Sequence, residues 1–196
     1  MTIKIGDQMP TGTFGVMSDN GPAQLTSAEL FGGKKVVLFS VPGAFTPTCS
    51  AKHLPGFIEH AAAIKAKGVD TIACLSVNDV FVMGAWGKHA GVDGSIKMLA
   101  DGNCAYTKAL GLELDASGFG MGTRGQRFAL VVTNGVVTNV FVEAPMEFKV
   151  SAAEHVLANL GSPPGLPRAI WGRRRPPCQT RCRHLGPSTP PLSGFS

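Results

Sequence analysis

The residue best placed to do chemistry is Cys49, in the stretch Val41-Pro-Gly-Ala-Phe-Thr-Pro-Thr-Cys49-Ser50. A thiol attacks as its thiolate, and an ordinary cysteine, with a pKa of about 8.5, is mostly protonated at neutral pH. The setting of Cys49 addresses that problem. It falls where a strand gives way to a helix, in the first helical turn, where unpaired backbone N–H groups and the positive end of the helix dipole favour an anion. Thr46, three residues earlier, can place a hydroxyl beside the sulfur or beside a bound oxygen. Pro42 and Pro47 stiffen the loop and reduce the entropy lost in ordering it. The bland alternative, an inert buried cysteine serving as a small hydrophobe, fits poorly with a helix start framed by threonine and proline. Cys49 and His53 at i, i+4 could suggest a cysteine–histidine hydrolase, but no third orienting group or oxyanion element accompanies them. His53 is expected to face solvent or to cap the neighbouring loop.

These residues need a scaffold, and the chain supplies one by alternating strand and helix patterns. Val36–Val41 is a short continuous apolar run, suited to a strand buried on both faces. A Pro/Gly-marked loop over 42–47 follows. From about Thr48 to Lys67, Leu54, Phe57, Ile58, Ala61 and Ile64 share one helical face, and Gly68 is the stop. Val69–Val77 reads as a second core strand, and Asn78 or Asp79 caps a helix through His89. A short strand near 96–99 and a helix near 105–110 come next. Strands over 126–133 and 136–143 flank Asn134-Gly135, the dipeptide of a two-residue type I′ hairpin. A last helix runs from about Ser151 to Leu160. The sum is an α/β domain with a mixed central sheet flanked by helices.

Pro42-x-x-x-Thr46-x-x-Cys49 resembles the signature of the peroxiredoxins, and its extension through Ser50-x-x-His-Leu-Pro-Gly-Phe57 resembles their type II, or peroxiredoxin-5-like, branch. The similarity continues through Ala73-Cys-Leu-Ser-Val-Asn-Asp79, Gly84-x-Trp86 and Gln126-Arg-Phe-Ala-Leu130, spanning residues 1–160. The resemblance implies a thioredoxin-like fold and reduction of hydrogen peroxide and alkyl hydroperoxides without a metal or other cofactor. It makes Cys49 the peroxidatic cysteine, oxidised to a sulfenic acid, with Pro42 and Thr46 as its companions. Arg127 matches the active-site arginine, while Arg124, in a Gly-rich setting, is expected on a surface loop. Cys74 stands where plant-type members carry a second cysteine, yet it reads as mid-strand and buried. Resolution is therefore expected from glutathione with glutaredoxin, or from thioredoxin, with Cys74 optional and Cys104 a bystander. The resemblance further implies a homodimer built around Phe45 and the Asp79–Trp86 segment. Pro55 removes one backbone hydrogen bond from the Cys49 helix, which should let Cys49 swing out for resolution.

Composition bounds the remaining alternatives. Apolar residues make up 44% and charged residues 16% of the 196, which is globular. The net charge of +5 hints at nucleic acid, but residues 1–160 carry 12 basic and 13 acidic side chains, while 161–196 carry six arginines and no acid. With eight of the 14 prolines as well, that tail is expected to be disordered and without a selected role. No apolar run reaches the ~18 residues of a membrane span, and no secretory signal is evident. Five scattered cysteines suggest a reducing compartment, with cytoplasm as the default. Gly120-x-Gly122-x-x-Gly125 matches a dinucleotide fingerprint in form only, since a strand follows it rather than a helix. A rival of another class is a thioredoxin-fold redox sensor or holdase that relays oxidation to partners.

Overall fold

Residues 1–161 are described, in a computed structural model of the chain; the expectation of a disordered tail lies outside the described residues. A hairpin opens the fold, β1 (Thr13–Ser18) with β2 (Gly21–Thr26). The sequence reading passes over this pair, because its glycines, Pro22 and mostly exposed side chains give little apolar alternation. Helix α1 (Ser27–Phe31) starts at a capping box in which Thr26 and Glu29 satisfy each other's backbone N–H groups. Strand β3 (Lys35–Ser40) is buried from Val36 onward, as its apolar run requires.

Beyond the Pro42–Pro47 loop the chain enters a π-helical turn, Cys49–His53, which continues as α2 (Leu54–Ala66). A plain α-helix was expected here. The difference has a local reason: Pro55 has no N–H to donate back to the first turn, and Leu54 N–H instead bonds the carbonyl of Cys49, five residues earlier. There follow β4 (Thr71–Ser76), α3 (Val80–His89) capped by Asp79, β5 (Lys97–Ala100) and α4 (Ala105–Leu110). A two-stranded sheet, β6 (Glu113–Asp115) with β7 (Thr123–Gly125), was not foreseen. The fold closes with β8 (Phe128–Thr133), β9 (Val136–Val142) and α5 (Ala153–Asn159). Positive φ at both Asn134 and Gly135 fits the expected tight turn.

The main sheet has seven strands in the order β2-β1-β5-β4-β3-β8-β9. β3, β4 and β5 run parallel, and β8 lies antiparallel to β3. Alternating side chains divide the core between the two faces. Val37, Phe39, Ile72, Cys74, Ala129 and Val131 pack with Leu54, Phe57, Ile64, Trp86 and Val156 from α2, α3 and α5. Val36, Leu38, Ala73, Leu75, Phe128 and Leu130 pack with Leu30, Phe31, Tyr106 and Leu110 from α1 and α4. This layering leaves the carboxyl end of β3 as a corner on which the loop before Cys49, the start of β8 and the end of β9 converge.

Candidate active site

Pro47 opens the helical stretch, so Thr48 and Cys49 fall in its first turn, whose N–H groups lack intrahelical partners. Ser50 N–H makes the first helical bond, to Thr46 O at 3.0 Å. The Thr46 hydroxyl donates to Gly43 O at 2.9 Å, which folds the loop back on itself. Gly43 packs closely in that turn: a Cβ there would stand 3.1 Å from Thr46 Cγ2 and press on it. The loop is tied down from outside by Ala44 N–H to Asn78 Oδ1 (3.0 Å) and by Trp86 Nε1–H to Ser50 Oγ (3.0 Å). Phe45 sits at φ 62° with a half-exposed ring set against Trp86 and His89, a backbone strain that only a well-packed surround sustains.

Sheet register brings the arginine in. Because Ser40 pairs with Phe128, Arg127 arrives beside the end of β3, and its Nη2 donates to Cys49 Sγ at 3.5 Å. A guanidinium at that distance is a counter-charge for a sulfur anion and a fixed fork of donors for an oxygen that the sulfur attacks. The structure thus gathers Cys49, Thr46, Pro42 and Arg127 around one corner. Cys74 lies in the same apolar cluster as Cys49, in mid-β4 between β3 and β5. It is fully buried, and burial pushes its thiol well up, so it stays protonated and poorly nucleophilic there. Cys104 is buried elsewhere, before α4.

Two expectations are corrected. Of the two alternatives for His53, exposure to solvent fails: the side chain has no exposed surface, accepts from Arg127 Nη1 at Nδ1 (3.0 Å) and, through Nε2, caps the loop before α5 at Ser151 O (3.1 Å). A guanidinium only donates and a carbonyl only accepts, so the proton resides on Nε2. Burial first, and the Arg127 charge second, push the imidazole down to about 3; His53 is neutral at physiological pH. Its i, i+4 spacing from Cys49 was a usable signal, attached to the wrong chemistry. Arg124, expected on a surface loop, is instead half-buried on β7, where its Nη1 donates to Val77 O (2.9 Å) and its Nε to Met121 O (2.8 Å). It braces the segment after β4. Phe148, which the sequence reading passes over, places its ring 5.6 Å from the Arg127 guanidinium carbon and 5.0 Å from the His53 ring.

Known proteins decide what this corner belongs to. The redoxin family model matches residues 4–157. Peroxiredoxin-2B of Arabidopsis thaliana is 52% identical over 159 residues, 81% of this chain and 98% of its own length. The chain belongs to the type II peroxiredoxin family. Peroxiredoxins are thiol peroxidases, so the chain is an enzyme that reduces peroxides through a cysteine. Among solved structures, reduced Prx3 from Vibrio vulnificus in complex with hydrogen peroxide is 54% identical, with a TM-score of 0.79, covering 82% of this chain and all of that one. The oxidized form of the same Vibrio protein matches at a TM-score of 0.74. The thioredoxin-like architecture expected from the resemblance is therefore that of this peroxiredoxin.

Proposed function

We propose that Cys49 is the peroxidatic nucleophile, and that hydrogen peroxide and alkyl hydroperoxides are its substrates. The observation that carries this reading is the 3.5 Å contact of Arg127 Nη2 with Cys49 Sγ. Thiolate sulfur attacks one peroxide oxygen in line; the S–O bond forms as the O–O bond breaks. The departing oxygen leaves as hydroxide or alkoxide and takes a proton to become water or alcohol. Arg127 and the first-turn N–H groups stabilise the charge moving onto that oxygen. Thr46, whose own proton is engaged by Gly43 O, offers its lone pairs to the peroxide O–H. Pro42 holds the loop that places them.

Cys49 is then a sulfenic acid. An external thiol condenses with it, releasing water and forming a mixed disulfide, and a second thiol frees Cys49. Glutathione with glutaredoxin, or thioredoxin, fits this step better than Cys74, which is sealed in the sheet. We place the enzyme in the cytoplasm as a homodimer. Half-exposed Phe45 and exposed Phe81, on the loop and helix expected at the interface, support the dimer.

The test is peroxide turnover by wild type, Cys49→Ser and Cys74→Ser with glutaredoxin or thioredoxin as the sole electron donor. Cys49→Ser should lose turnover entirely, while Cys74→Ser keeps it. Retained turnover in Cys49→Ser would move the chemistry to another thiol.

A further inference from the structure

Glu143 is an unusual residue to find just past an edge strand. It is nine-tenths buried, yet its two carboxylate oxygens are used very unequally. Oε1 accepts three hydrogen bonds, from Lys149 N–H (2.7 Å), Ser151 N–H (2.7 Å) and the Ser151 hydroxyl (2.8 Å). Oε2 is buried without a partner. Three charge-assisted bonds to one oxygen tie the loop over 144–152 to the end of β9. Concentrating them on Oε1 draws Lys149 and Ser151 together and fixes the peptide of Ser151, whose carbonyl is the acceptor for His53 Nε2.

The same residue also grips the arginine from the backbone. Glu143 N–H donates to Arg127 O at 3.0 Å, continuing the β8–β9 register that pairs Phe128 with Val142. Arg127 is thus held at its main chain by Glu143 and at its Nη1 by His53, leaving Nη2 for the sulfur. Among the described residues, Glu143 and Arg127 form no ion pair. A direct carboxylate–guanidinium fork would engage the donors that face Cys49, whereas a neutral imidazole between them passes on orientation without neutralising the arginine.

We propose that Glu143 is a positioning residue for the peroxidase reaction: it sets the Ser151 carbonyl, which selects the Nε2–H form of His53, which in turn aims the Arg127 guanidinium at Cys49. This rests on Cys49 and Arg127 acting as described above. The relay joins the end of β9, the loop over 144–152, the π-helical turn and the head of β8. Among the described residues, the charged groups that act on His53 are Arg127 and Glu143.

The test compares Glu143→Ala and Glu143→Gln with wild type, each fully reduced, by two readings. The first is the 15N signature of the His53 ring in NMR, which reports the tautomer without any need for turnover. The second is the second-order rate of Cys49 oxidation by hydrogen peroxide. Glu143→Ala should lose the single Nε2–H pattern and slow oxidation about tenfold or more, the scale set by displaced catalytic groups. Glu143→Gln, which keeps an acceptor at Oε1, should recover most of both. If Glu143→Ala proves too unstable to study, Ser151→Pro removes the N–H and hydroxyl that the carboxylate binds and should give the same two changes. A lowered melting temperature with the His53 signature and the oxidation rate both unchanged would overturn the relay. So would a Glu143→Gln variant as impaired as Glu143→Ala. Should Cys49 fail as the nucleophile, the ring signature would still shift, which separates that failure from this one.

Discussion

At the scale of single residues, the site works by giving each donor one acceptor. Arg127 splits its fork between His53 and Cys49, so under the proposed mechanism loss of the fork would remove donors to the departing oxygen. Arg127→Ala should lower the rate of peroxide reduction roughly 100-fold or more, read by stopped-flow with the thermal midpoint as a control. His53 carries a second consequence. Its folded value is pushed down to about 3 by burial and then by Arg127, whereas an unfolded chain protonates the ring near about 6.5. Between those values the unfolded state binds a proton that the folded state refuses. Stability is therefore intact above about pH 6.5 and falls as the pH drops toward about 3, by at most roughly 5 kcal/mol. His53→Gln, which keeps an acceptor and a donor but does not ionise, should show a flatter profile of urea midpoints across that window. Parallel profiles for the two proteins would remove His53 as the cause.

At the scale of elements, the π-helical turn is where we expect movement. It is bounded by Pro47 at its start and Pro55 at its end, and Trp86 ties it to α3 through Ser50. Resolution by an external thiol requires the buried sulfur of Cys49 to emerge, and a turn short of one backbone donor opens at lower cost than a regular one. Pro55→Ala should restore an α-helical bond and slow regeneration by the thiol more than peroxide attack, resolved by measuring the two half-reactions separately; equal effects on both would count against this. The bulge at Val131/Val132 in the β8–β9 pair belongs to this scale too. Thr138 is the additional residue, and without it the later part of β9 would present its opposite face. Deleting Thr138 should carry Glu143 away from Ser151 and reduce peroxide turnover even if the sheet survives. Circular dichroism alongside the rate would distinguish this from unfolding.

At the scale of the whole molecule, the sheet supplies rigidity, and the proposed dimer would draw on exposed rings around it. Strands β3, β4 and β8 are buried on both faces, so the corner rests on the least deformable part of the fold. Phe45, beside Trp86, and Phe81, on α3, are exposed aromatic rings. A charge at either position opposes burial against a partner. Phe45→Glu and Phe81→Glu should therefore shift the proposed dimer toward monomer in sedimentation velocity at equal concentration. An unchanged sedimentation coefficient in both variants would place the interface elsewhere.

The sequence by itself determined the alternation of strands and helices, the hairpin at Asn134-Gly135 and the placing of Cys49 at a helix start. These depend on periodicity, turn residues and caps, all of which act over a few neighbours. It also pointed to Arg127, though through resemblance rather than through any local pattern. The weakly patterned β1–β2 pair and the small β6–β7 sheet escaped notice because their side chains are largely exposed or glycine. Only the tertiary structure decided what His53, Arg124, Phe148 and Glu143 do. The bonds of His53 span 74 and 98 residues and that of Arg127 to the sulfur spans 78; strand register and one bulge bring such partners together, and neither leaves a mark in the spacing of the residues themselves.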